Sequence, residues 1–344
     1  MSTELNVCSL TKADFVSDQA VKWCPGCGDY AILAAVQNAL PRIGKKKEDI
    51  VFVSGIGCSS RFPYYMSAYG FHTIHGRAAA VATGIKLANN NLSVWEITGD
   101  GDALAIGGNH LIHLIRRNVN LNILLFNNQI YGLTKGQFSP TSEMGTVTKS
   151  SPQGTIEKAF LPGELAIGAG ITFFARVGDN NSKLMTEVFV EAENHNGTAL
   201  VEVLQNCVIF NDGVHDMVTG KENRDENQIL LEHNKPMIFG KNKNKGLRLN
   251  GLKLEVVEIG NNNITEKDIL IHNAYEENPI MHLMLIRMRL PDFPIAMGVI
   301  RSVKQATYDS LLNSQLEIAK VNSKYKSADD FFNSGDVWEI KDNI

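Results

Sequence analysis

The chain has 344 residues, of which 44% are hydrophobic and 20% are charged, so it is long enough to bury a sizeable core. Its formal net charge of -4 provides no basic field for nucleic acid. The first residues lack a basic stretch followed by an apolar one, and no apolar run approaches membrane-spanning length. We therefore expect a cytoplasmic protein that binds neither nucleic acid nor membrane.

Short apolar runs alternate with helical patterns over the first two-thirds of the chain. The runs are rich in β-branched or aromatic residues and are bounded by Gly, Asn or Asp, which is typical of buried strands. Strands are predicted at residues 50–53, 94–98, 122–126, 171–175 and 199–204, and helices at 29–40, 76–89, 103–117 and 182–194, the last with Ser182 as its N-cap. This alternation predicts an α/β fold with a mostly parallel sheet flanked by helices, whose ligands gather at the carboxyl ends of the strands.

The composition changes after Asp212. Residues 220–250 are rich in Lys, Asn and Glu, including a run at 241–245, which favours a solvated, partly flexible segment over a docking patch. Residues 253–292 contain apolar stretches again and are expected to be ordered. We therefore divide the chain into a domain at residues 1–215 and a less regular, partly flexible C-terminal extension at residues 216–344 that contacts other subunits.

The strand predicted at residues 94–98 runs into a glycine-rich turn, Gly99-Asp100-Gly101-Asp102. Gly99 and Gly101 let the backbone turn sharply and approach phosphate oxygens closely. The helix predicted after the turn directs backbone N–H groups at an anion. A lone Gly-Asp-Gly is weak evidence for a site, because ordinary turns also produce this sequence.

The next predicted strand ends at Asn127-Asn128, which makes the signal more specific. Asp100, the amide oxygen of Asn128 and the carbonyl of Ile130 together offer the few protein oxygens that Mg²⁺ takes alongside phosphate oxygens. The two strand ends with one helix between them resemble the thiamine diphosphate signature of transketolase-like and 2-oxoacid-decarboxylating enzymes. The sequence therefore predicts a metal-bound diphosphate site here.

Four of the five cysteines lie in loops at strand or helix ends. Cys24 and Cys27 form a Cys-x-x-Cys loop, whereas Cys58 and Cys207 each follow a predicted strand. Four thiolates can hold a [4Fe–4S] cluster or a zinc ion. Because only the first two cysteines form a compact pair, a cluster is favoured, with zinc and a redox-active dithiol at that pair as alternatives. Cys8 lies outside these contexts and is interpreted as an ordinary free thiol.

Several separate motifs occur in order along the chain. They read Trp-Cys-Pro-Gly-Cys-Gly-Asp at 23–29, Gly-Ile-Gly-Cys-Ser-Ser-Arg at 55–61, His-Thr-Ile-His-Gly-Arg at 72–77, Gly-Asp-Gly-Asp-Ala-Leu-Ala-Ile-Gly-Gly at 99–108 and Tyr-Gly-Leu-Thr-Lys-Gly-Gln at 131–137. Together they resemble the β subunit of 2-oxoacid:ferredoxin oxidoreductases over about residues 20–215.

The resemblance implies a thiamine-diphosphate-binding fold and a set of residues for each bound group. The implied ligands of a [4Fe–4S] cluster are Cys24, Cys27, Cys58 and Cys207, and those of Mg²⁺ are Asp100, Asn128 and the carbonyl of Ile130. The residues implied around thiamine diphosphate are Ile56, Gly57, Cys58, Ser59, His75, Gly99, Gly101, Asp102, Gly132 and Leu133. Arg61 and Leu133 are implied to face the substrate as catalytic residues.

The implied reaction is the oxidative decarboxylation of a 2-oxoacid to acyl-CoA and CO₂, with coenzyme A as acceptor and electrons passing through the cluster to ferredoxin. Among 2-oxoacids, 2-oxoglutarate is favoured, because the guanidinium fork of Arg61 could hold a second carboxylate. Some relatives in the resembling family carry lysine where Arg61 stands, and lysine would hold a second carboxylate less well.

One component of a thiamine enzyme is not found in this sequence. Thiamine enzymes place a carboxylate against the pyrimidine ring, and in the resembling family an α subunit supplies it. We therefore expect a heterodimer, or a dimer of heterodimers, and no activity from this chain alone. Two other functions remain open: a subunit of a non-oxidative thiamine-dependent 2-oxoacid decarboxylase, and a zinc-bearing, non-catalytic assembly subunit.

Overall fold

We describe residues 10–340 of the chain from a computed structural model, so the interpretation of Cys8 lies outside the described residues. The strands are β1 (Ile50–Ser54), β2 (Tyr69–His72), β3 (Ser93–Gly99), β4 (Leu121–Asn127), β5 (Ile130–Tyr131), β6 (Gln137–Phe138), β7 (Phe173–Gly178), β8 (Thr198–Leu204), β9 (Gln228–Leu231), β10 (Ile238–Phe239), β11 (Lys245–Asn250), β12 (Lys253–Glu258) and β13 (Ile295–Ser302).

The helices cover the sheet and extend into the C-terminal part of the chain. The α-helices are α1 (Asp29–Ile43), α2 (Ala78–Ala88), α3 (Gly108–Arg117), α4 (Pro162–Gly168), α5 (Ser182–Asn194), α6 (Asp216–Thr219), α7 (Arg224–Asn227), α8 (Ile280–Ile286), α9 (Tyr308–Asn322) and α10 (Ala328–Phe332). None of the helices between residues 10 and 340 has both the length and the apolar character required to cross a membrane.

Eight strands form the central sheet, in the order β2-β1-β3-β4-β8-β7-β13-β9. Neighbouring strands from β2 to β7 pair in parallel, whereas β13 is antiparallel to β7 and parallel to β9. Every residue of β1, β4 and β8 is buried, as expected for parallel strands that are covered on both faces. The predicted α/β fold with a mostly parallel sheet flanked by helices is confirmed.

Two apolar clusters cover the two faces of the sheet. One face packs against α1 and α5 through residues such as Ile32, Val36 and Phe189. The other packs against α2, α3 and α8 through residues such as Leu111 and Leu285. Because these layers fix the sheet on both sides, the loops at the carboxyl ends of β1, β3, β4 and β8 are held at one edge.

One predicted N-cap and one predicted helix start are wrong, although α5 has the predicted bounds, Ser182–Asn194. The N-cap of α5 is Asn181 rather than Ser182, and its side chain accepts a hydrogen bond from the backbone of Leu184 at 3.1 Å. The helix predicted to begin at Ala103 opens instead as a π-helical turn at Asp102–Ile106, and the regular α-helix begins at Gly108. The interruption arises because Ala105 leaves the helical region, with φ -87° and ψ -105°.

The C-terminal part contributes strands that the sequence did not predict. Strands β9 and β13 lie in the same sheet as the strands before residue 215, while β10, β11 and β12 form a separate three-stranded sheet. The Lys-rich run at 241–245 lies in the turn between β10 and β11, where its first residues are exposed. The run is thus solvated as predicted, although the segment around it forms strands. The division at residue 215 stays a prediction.

Buried histidines are expected to make the fold sensitive to acid. Burial lowers the pKa of His272 to about 4, and burial likewise lowers the pKa of His195 to about 4. The unfolded chain takes up these protons near pH 6.5 and the folded chain does not, so the free energy of unfolding should fall between about pH 6.5 and pH 4. At about 1.4 kcal/mol per pKa unit, the fully buried His272 would contribute on the order of 3 kcal/mol.

Urea unfolding from pH 7.5 to pH 4.5 measures this dependence. His272→Gln should flatten the pH profile, because the amide cannot be protonated in this range. His72→Gln, which changes an exposed histidine on β2, serves as the control and should leave the profile unchanged. Equal profiles for His272→Gln and the wild type would contradict the assignment.

Candidate cofactor and metal site

A cavity of about 710 Å³ lies at the carboxyl ends of β1, β3 and β4. Its wall includes most of the predicted cofactor and metal residues, namely Ile56, Gly57, Cys58, Ser59, His75, Gly99, Asp100, Gly101, Asp102, Asn128, Ile130, Gly132 and Leu133. These residues come from separate loops and meet because their strands are neighbours in one parallel sheet. The prediction that ligands gather at the carboxyl ends of the parallel strands therefore gave the position of the cavity correctly.

Asp100 presents a buried carboxylate to this cavity. Only 3% of the Asp100 surface is exposed. Its Oδ2 accepts hydrogen bonds from the hydroxyls of Ser139 and Thr141, each at 2.5 Å. Burial raises the pKa of Asp100. No lysine or arginine is among the described residues that line the cavity. A buried carboxylate without a cationic side chain fits the binding of a metal cation.

Asn128 and Ile130 lie opposite Asp100, on a tight turn after β4. Gln129 between them has φ +56°, a left-handed conformation that reverses the chain into the short β5–β6 hairpin. The side-chain oxygen of Asn128 accepts a hydrogen bond from the backbone N–H of Ile130 at 3.1 Å. Since an amide oxygen has two acceptor sites, Asn128 keeps one for a metal ion.

Asp102 is fully occupied by hydrogen-bond donors of the protein. Its Oδ1 accepts from the backbone N–H groups of Ile56 at 3.1 Å and Gly76 at 2.7 Å, and its Oδ2 accepts from the hydroxyl of Thr98 at 2.8 Å. The ring nitrogen Nδ1 of His75 lies 2.7 Å from the same Oδ1, which fixes a proton on that nitrogen. Asp102 therefore positions the Ile56 turn and His75 at the cavity wall.

Gly101 has no room for a side chain. A Cβ at this position would overlap the ring of Tyr131, whose hydroxyl donates a hydrogen bond to the Gly101 carbonyl at 3.0 Å. Gly101→Ala is therefore expected to displace the Tyr131 ring and to loosen the β5–β6 hairpin. Overpacking of this kind costs about 1–3 kcal/mol, and cofactor affinity should fall with it.

Urea unfolding and titration with thiamine diphosphate and Mg²⁺ measure both effects of Gly101→Ala. Gly108→Ala is the matched control, because an added Cβ at this nearby glycine meets no atom within 4 Å. The control should not destabilise the protein, because alanine is favoured over glycine in a helix such as α3 by up to about 1 kcal/mol. If the two variants behave alike, the steric explanation fails.

The four predicted cysteines lie near one another beside the cavity. The Sγ atoms of Cys58 and Cys207 are 3.5 and 3.6 Å from the position that a Cβ on Gly132 would take. Cys24 is exposed and Cys27 is partly buried. Burial raises the pKa of Cys58 to about 12, with further contributions from Asp29, Cys207 and Cys24, so this thiol stays protonated unless a metal compensates its charge.

The sequence left three alternatives for the cysteines: a [4Fe–4S] cluster, a zinc ion, or a redox-active dithiol at Cys24 and Cys27. A zinc ion needs its sulfur ligands about 2.3 Å from one point. Across residues 10–340, no three His, Cys, Asp or Glu side chains are grouped in a way that could hold one metal ion. A cluster holds its thiolates on four separate irons, so its sulfur ligands lie farther apart than those of a single metal ion.

Arg61 does not lie in the cavity wall. Its Nε donates a hydrogen bond to the hydroxyl of Tyr65 at 2.9 Å, within the 3₁₀ helix Ser59–Tyr65. Its role towards a substrate stays a prediction. Leu133, the second predicted catalytic residue, lines the cavity and is about half exposed.

The sequence analysis missed several residues of the cavity wall, including Asp29, Tyr131, Ser150 and Gln205. Asp29 is the first residue of α1, and burial together with the nearby carboxylate of Asp179 raises its pKa to about 7. Gln205 directly follows β8, so the strand-end rule could have found it. Nothing local in the sequence marks Ser150, which reaches the cavity from a long irregular connection between β6 and α4.

Comparisons with known proteins agree with this geometry. The family model described as thiamine pyrophosphate enzyme, C-terminal TPP binding domain, matches residues 55–203. The chain is 51% identical over 308 residues to the 2-oxoglutarate oxidoreductase subunit KorB of Mycobacterium tuberculosis, covering 89% of this chain and 82% of that protein. It is 49% identical over 190 residues to the β subunit of 2-oxoacid:ferredoxin oxidoreductase 1 of Aeropyrum pernix, covering 55% of this chain and 60% of that protein.

A solved structure is similar over nearly the whole chain. It is the 2-oxoglutarate:ferredoxin oxidoreductase from Magnetococcus marinus, with 2-oxoglutarate, coenzyme A and succinyl-CoA bound. The TM-score is 0.75 at 29% sequence identity, and the match covers 95% of this chain and 97% of that chain. The family match and this structure together confirm the predicted thiamine-diphosphate-binding fold.

Proposed function

Since the chain belongs to the family of 2-oxoacid:ferredoxin oxidoreductase β subunits, as its motifs predicted, we propose that it decarboxylates 2-oxoglutarate oxidatively together with an α subunit. The products are an acyl-CoA and CO₂, and the electrons pass through a [4Fe–4S] cluster to ferredoxin. One observation carries the proposal: oxygen ligands of the type that hold a metal diphosphate line the same cavity as Cys58, and Cys207 lies next to Cys58 at the wall residue Gly132.

The oxygen ligands fit Mg²⁺ and a diphosphate. Asp100, the side-chain oxygen of Asn128 and the carbonyl of Ile130 would hold the ion, and the match to the TPP binding domain supports thiamine diphosphate as its companion. His75 keeps a proton on Nδ1 for Asp102, which leaves Nε2 for contact within the cavity. The Ile56–Ser59 turn and Gly132-Leu133 would bracket the rest of the cofactor.

The cysteines fit a cluster at the edge of the same cavity. Cys24, Cys27, Cys58 and Cys207 would be its ligands, and burial raises the pKa of the Cys27 and Cys58 thiols, which calls for a compensating positive charge. When bound, thiamine diphosphate supplies an electron sink for decarboxylation, and the cluster accepts single electrons. The exposed position of Cys24 places one ligand at the surface, where ferredoxin could approach.

Substrate preference is assigned to Arg61 and Leu133. Arg61 uses its Nε to bind Tyr65, so its two terminal nitrogens remain for a carboxylate of 2-oxoglutarate. Leu133 is an apolar wall residue at the mouth of the cavity.

The test uses the complex purified with its α subunit. Iron and sulfide analysis should give four of each per β subunit, and the reduced complex should give an EPR signal. Reduction of ferredoxin or methyl viologen should require both coenzyme A and a 2-oxoacid, with 2-oxoglutarate faster than pyruvate. Stoichiometric zinc without iron, or failure of every 2-oxoacid in the intact complex, would refute the proposal.

A further inference from the structure

Gln205 lies between the proposed metal ligands and the cysteines and contacts both. Its side chain touches Asn128 on one side and Cys27 on the other. We propose that Gln205 is a positioning residue that bridges the two sites: it orients Asn128 towards the metal and donates a hydrogen bond to the Cys27 sulfur. This inference rests on the proposed function, since it assigns a role towards Mg²⁺ and the cluster.

The fold holds Gln205 in one place. It directly follows β8, which pairs with β4, and its backbone N–H donates to the Asn127 carbonyl at 3.0 Å. Only 1% of the residue is exposed. A long polar side chain buried to this extent must have its hydrogen-bonding groups satisfied, so its contacts are part of how the site is built.

The contacts fix the orientation of the Gln205 amide. Its Nε2 lies 2.5 Å from the Asn206 carbonyl and 3.3 Å from the Cys27 Sγ, so its two hydrogens serve these two acceptors. Its Oε1 accepts from the Nδ2 of Asn128 at 2.8 Å. The reversed orientation would set an oxygen against the Asn206 carbonyl and the sulfur, and is excluded by repulsion.

The bridge determines which atom Asn128 presents to the cavity. Because Gln205 accepts from the amide nitrogen of Asn128, the Asn128 oxygen must face the opposite way, towards Ile130 and the proposed ion. Without this acceptor the Asn128 amide could rotate and present its NH₂ group, which repels a cation. Removal of partners behind a metal ligand typically weakens metal affinity by roughly 10- to 100-fold.

The same side-chain amide of Gln205 also donates a hydrogen bond to the Cys27 sulfur. An N–H donor at a ligating sulfur stabilises the extra negative charge of the reduced cluster, and hydrogen bonds to sulfur are among the factors that set cluster potentials. Loss of the donor at Cys27 should therefore lower the midpoint potential. A single side chain thus influences metal affinity and redox potential together.

The experiment replaces Gln205 with methionine in the α–β complex. Gln205→Met keeps the length of the side chain but removes all three of its hydrogen bonds, to Asn128, Cys27 and the Asn206 carbonyl. We expect the apparent Kd for Mg²⁺, measured by thiamine diphosphate binding, to rise roughly 10- to 100-fold. We also expect the midpoint potential, measured by EPR-monitored redox titration of fully iron-loaded protein, to fall.

Gln37→Met is the matched control, because Gln37 is a buried glutamine in α1 that also loses a backbone hydrogen bond, to Tyr65, but lies away from the cysteines. It should change neither quantity. If Gln205→Met fails to assemble, Gln205→Leu gives the test: this uncharged, smaller side chain removes the same hydrogen bonds, so Mg²⁺ affinity and the midpoint potential should both fall.

Two results would overturn the proposed role of Gln205. These are a Gln205→Met or Gln205→Leu complex that matches Gln37→Met, and a change in only one of the two quantities in either variant. A wild-type complex without iron or an EPR signal would refute the proposed function itself, and the bridge with it. The two failures are therefore distinguishable from the wild-type measurement alone.

Discussion

Replacing Asp100 with asparagine is expected to abolish Mg²⁺-dependent binding of thiamine diphosphate and, with it, all turnover of the α–β complex. Asp100 is the single carboxylate among the three proposed Mg²⁺ ligands. Removal of a residue that only hydrogen-bonds a metal ligand weakens metal affinity by up to roughly 100-fold, and removal of the ligand itself should weaken it further. The asparagine oxygen can keep the hydrogen bonds from Ser139 and Thr141. Its NH₂ group then faces the cavity, where it repels a cation.

The same substitution should leave the metal-free protein at least as stable as the wild type. Burial raises the pKa of Asp100, which shows that a charge at this position is unfavourable until a cation compensates it. Asparagine removes that charge and keeps the shape of the side chain. Asp100→Asn is therefore expected to abolish cofactor binding and turnover while it maintains or increases the stability of the metal-free protein.

Thermal unfolding with and without Mg²⁺ and thiamine diphosphate separates the two effects. A ligand at about 100 times its Kd adds about 2.7 kcal/mol to the free energy of unfolding. The wild type and the exposed control Asp225→Asn should gain this stabilisation, and Asp100→Asn should not. Ligand-induced stabilisation that survives in Asp100→Asn would show that Asp100 does not hold the metal.

The parallel core of the sheet could be predicted because its signal is local. Strands β1, β4 and β8 are buried along their whole length, and so their sequences are continuous apolar runs. Strands β9 and β13 lack such a signal. β9 has four residues, and β13 contains Gly298 at φ +88° and a register shift after Val299, so long-range pairing decides both.

The candidate site likewise contains residues that could be predicted from the sequence and residues whose roles could not. Asp100 and Asn128 could be predicted because each follows a strand, and the topology then brings strand ends together. The roles of Asp102 and Gln205 could not, because they depend on which side chains from other loops reach them. Asp102 was predicted to contact the cofactor, but its carboxylate is taken up by four protein donors. Spacing along the chain carries no information on such contacts.

The isolated chain is expected to bind its cofactors but to show no turnover, which an equimolar α subunit should restore. The acidic residues of the described cavity wall are Asp29, Asp100 and Asp102. Asp100 is proposed to hold the metal, Asp102 accepts hydrogen bonds from four protein donors, and Asp29 is buried beside Cys27, where the cluster is proposed. None of the three is available as the carboxylate that activates the pyrimidine ring.

The cavity rim points to the same requirement. The wall residue Leu133 is 53% exposed, and Ile74, which directly precedes the wall residue His75, is 72% exposed, so exposed apolar surface adjoins the cavity. A covering subunit would exclude water from this surface and bring the missing carboxylate, and loss of a positioned acid–base group costs roughly 10²- to 10⁴-fold in rate. Titrating the β subunit with α, while following 2-oxoglutarate- and coenzyme-A-dependent reduction of methyl viologen, should show activity that rises to a plateau at equimolar α. Turnover by the β subunit alone above about 1% of that plateau would mean that this chain supplies its own acid–base group.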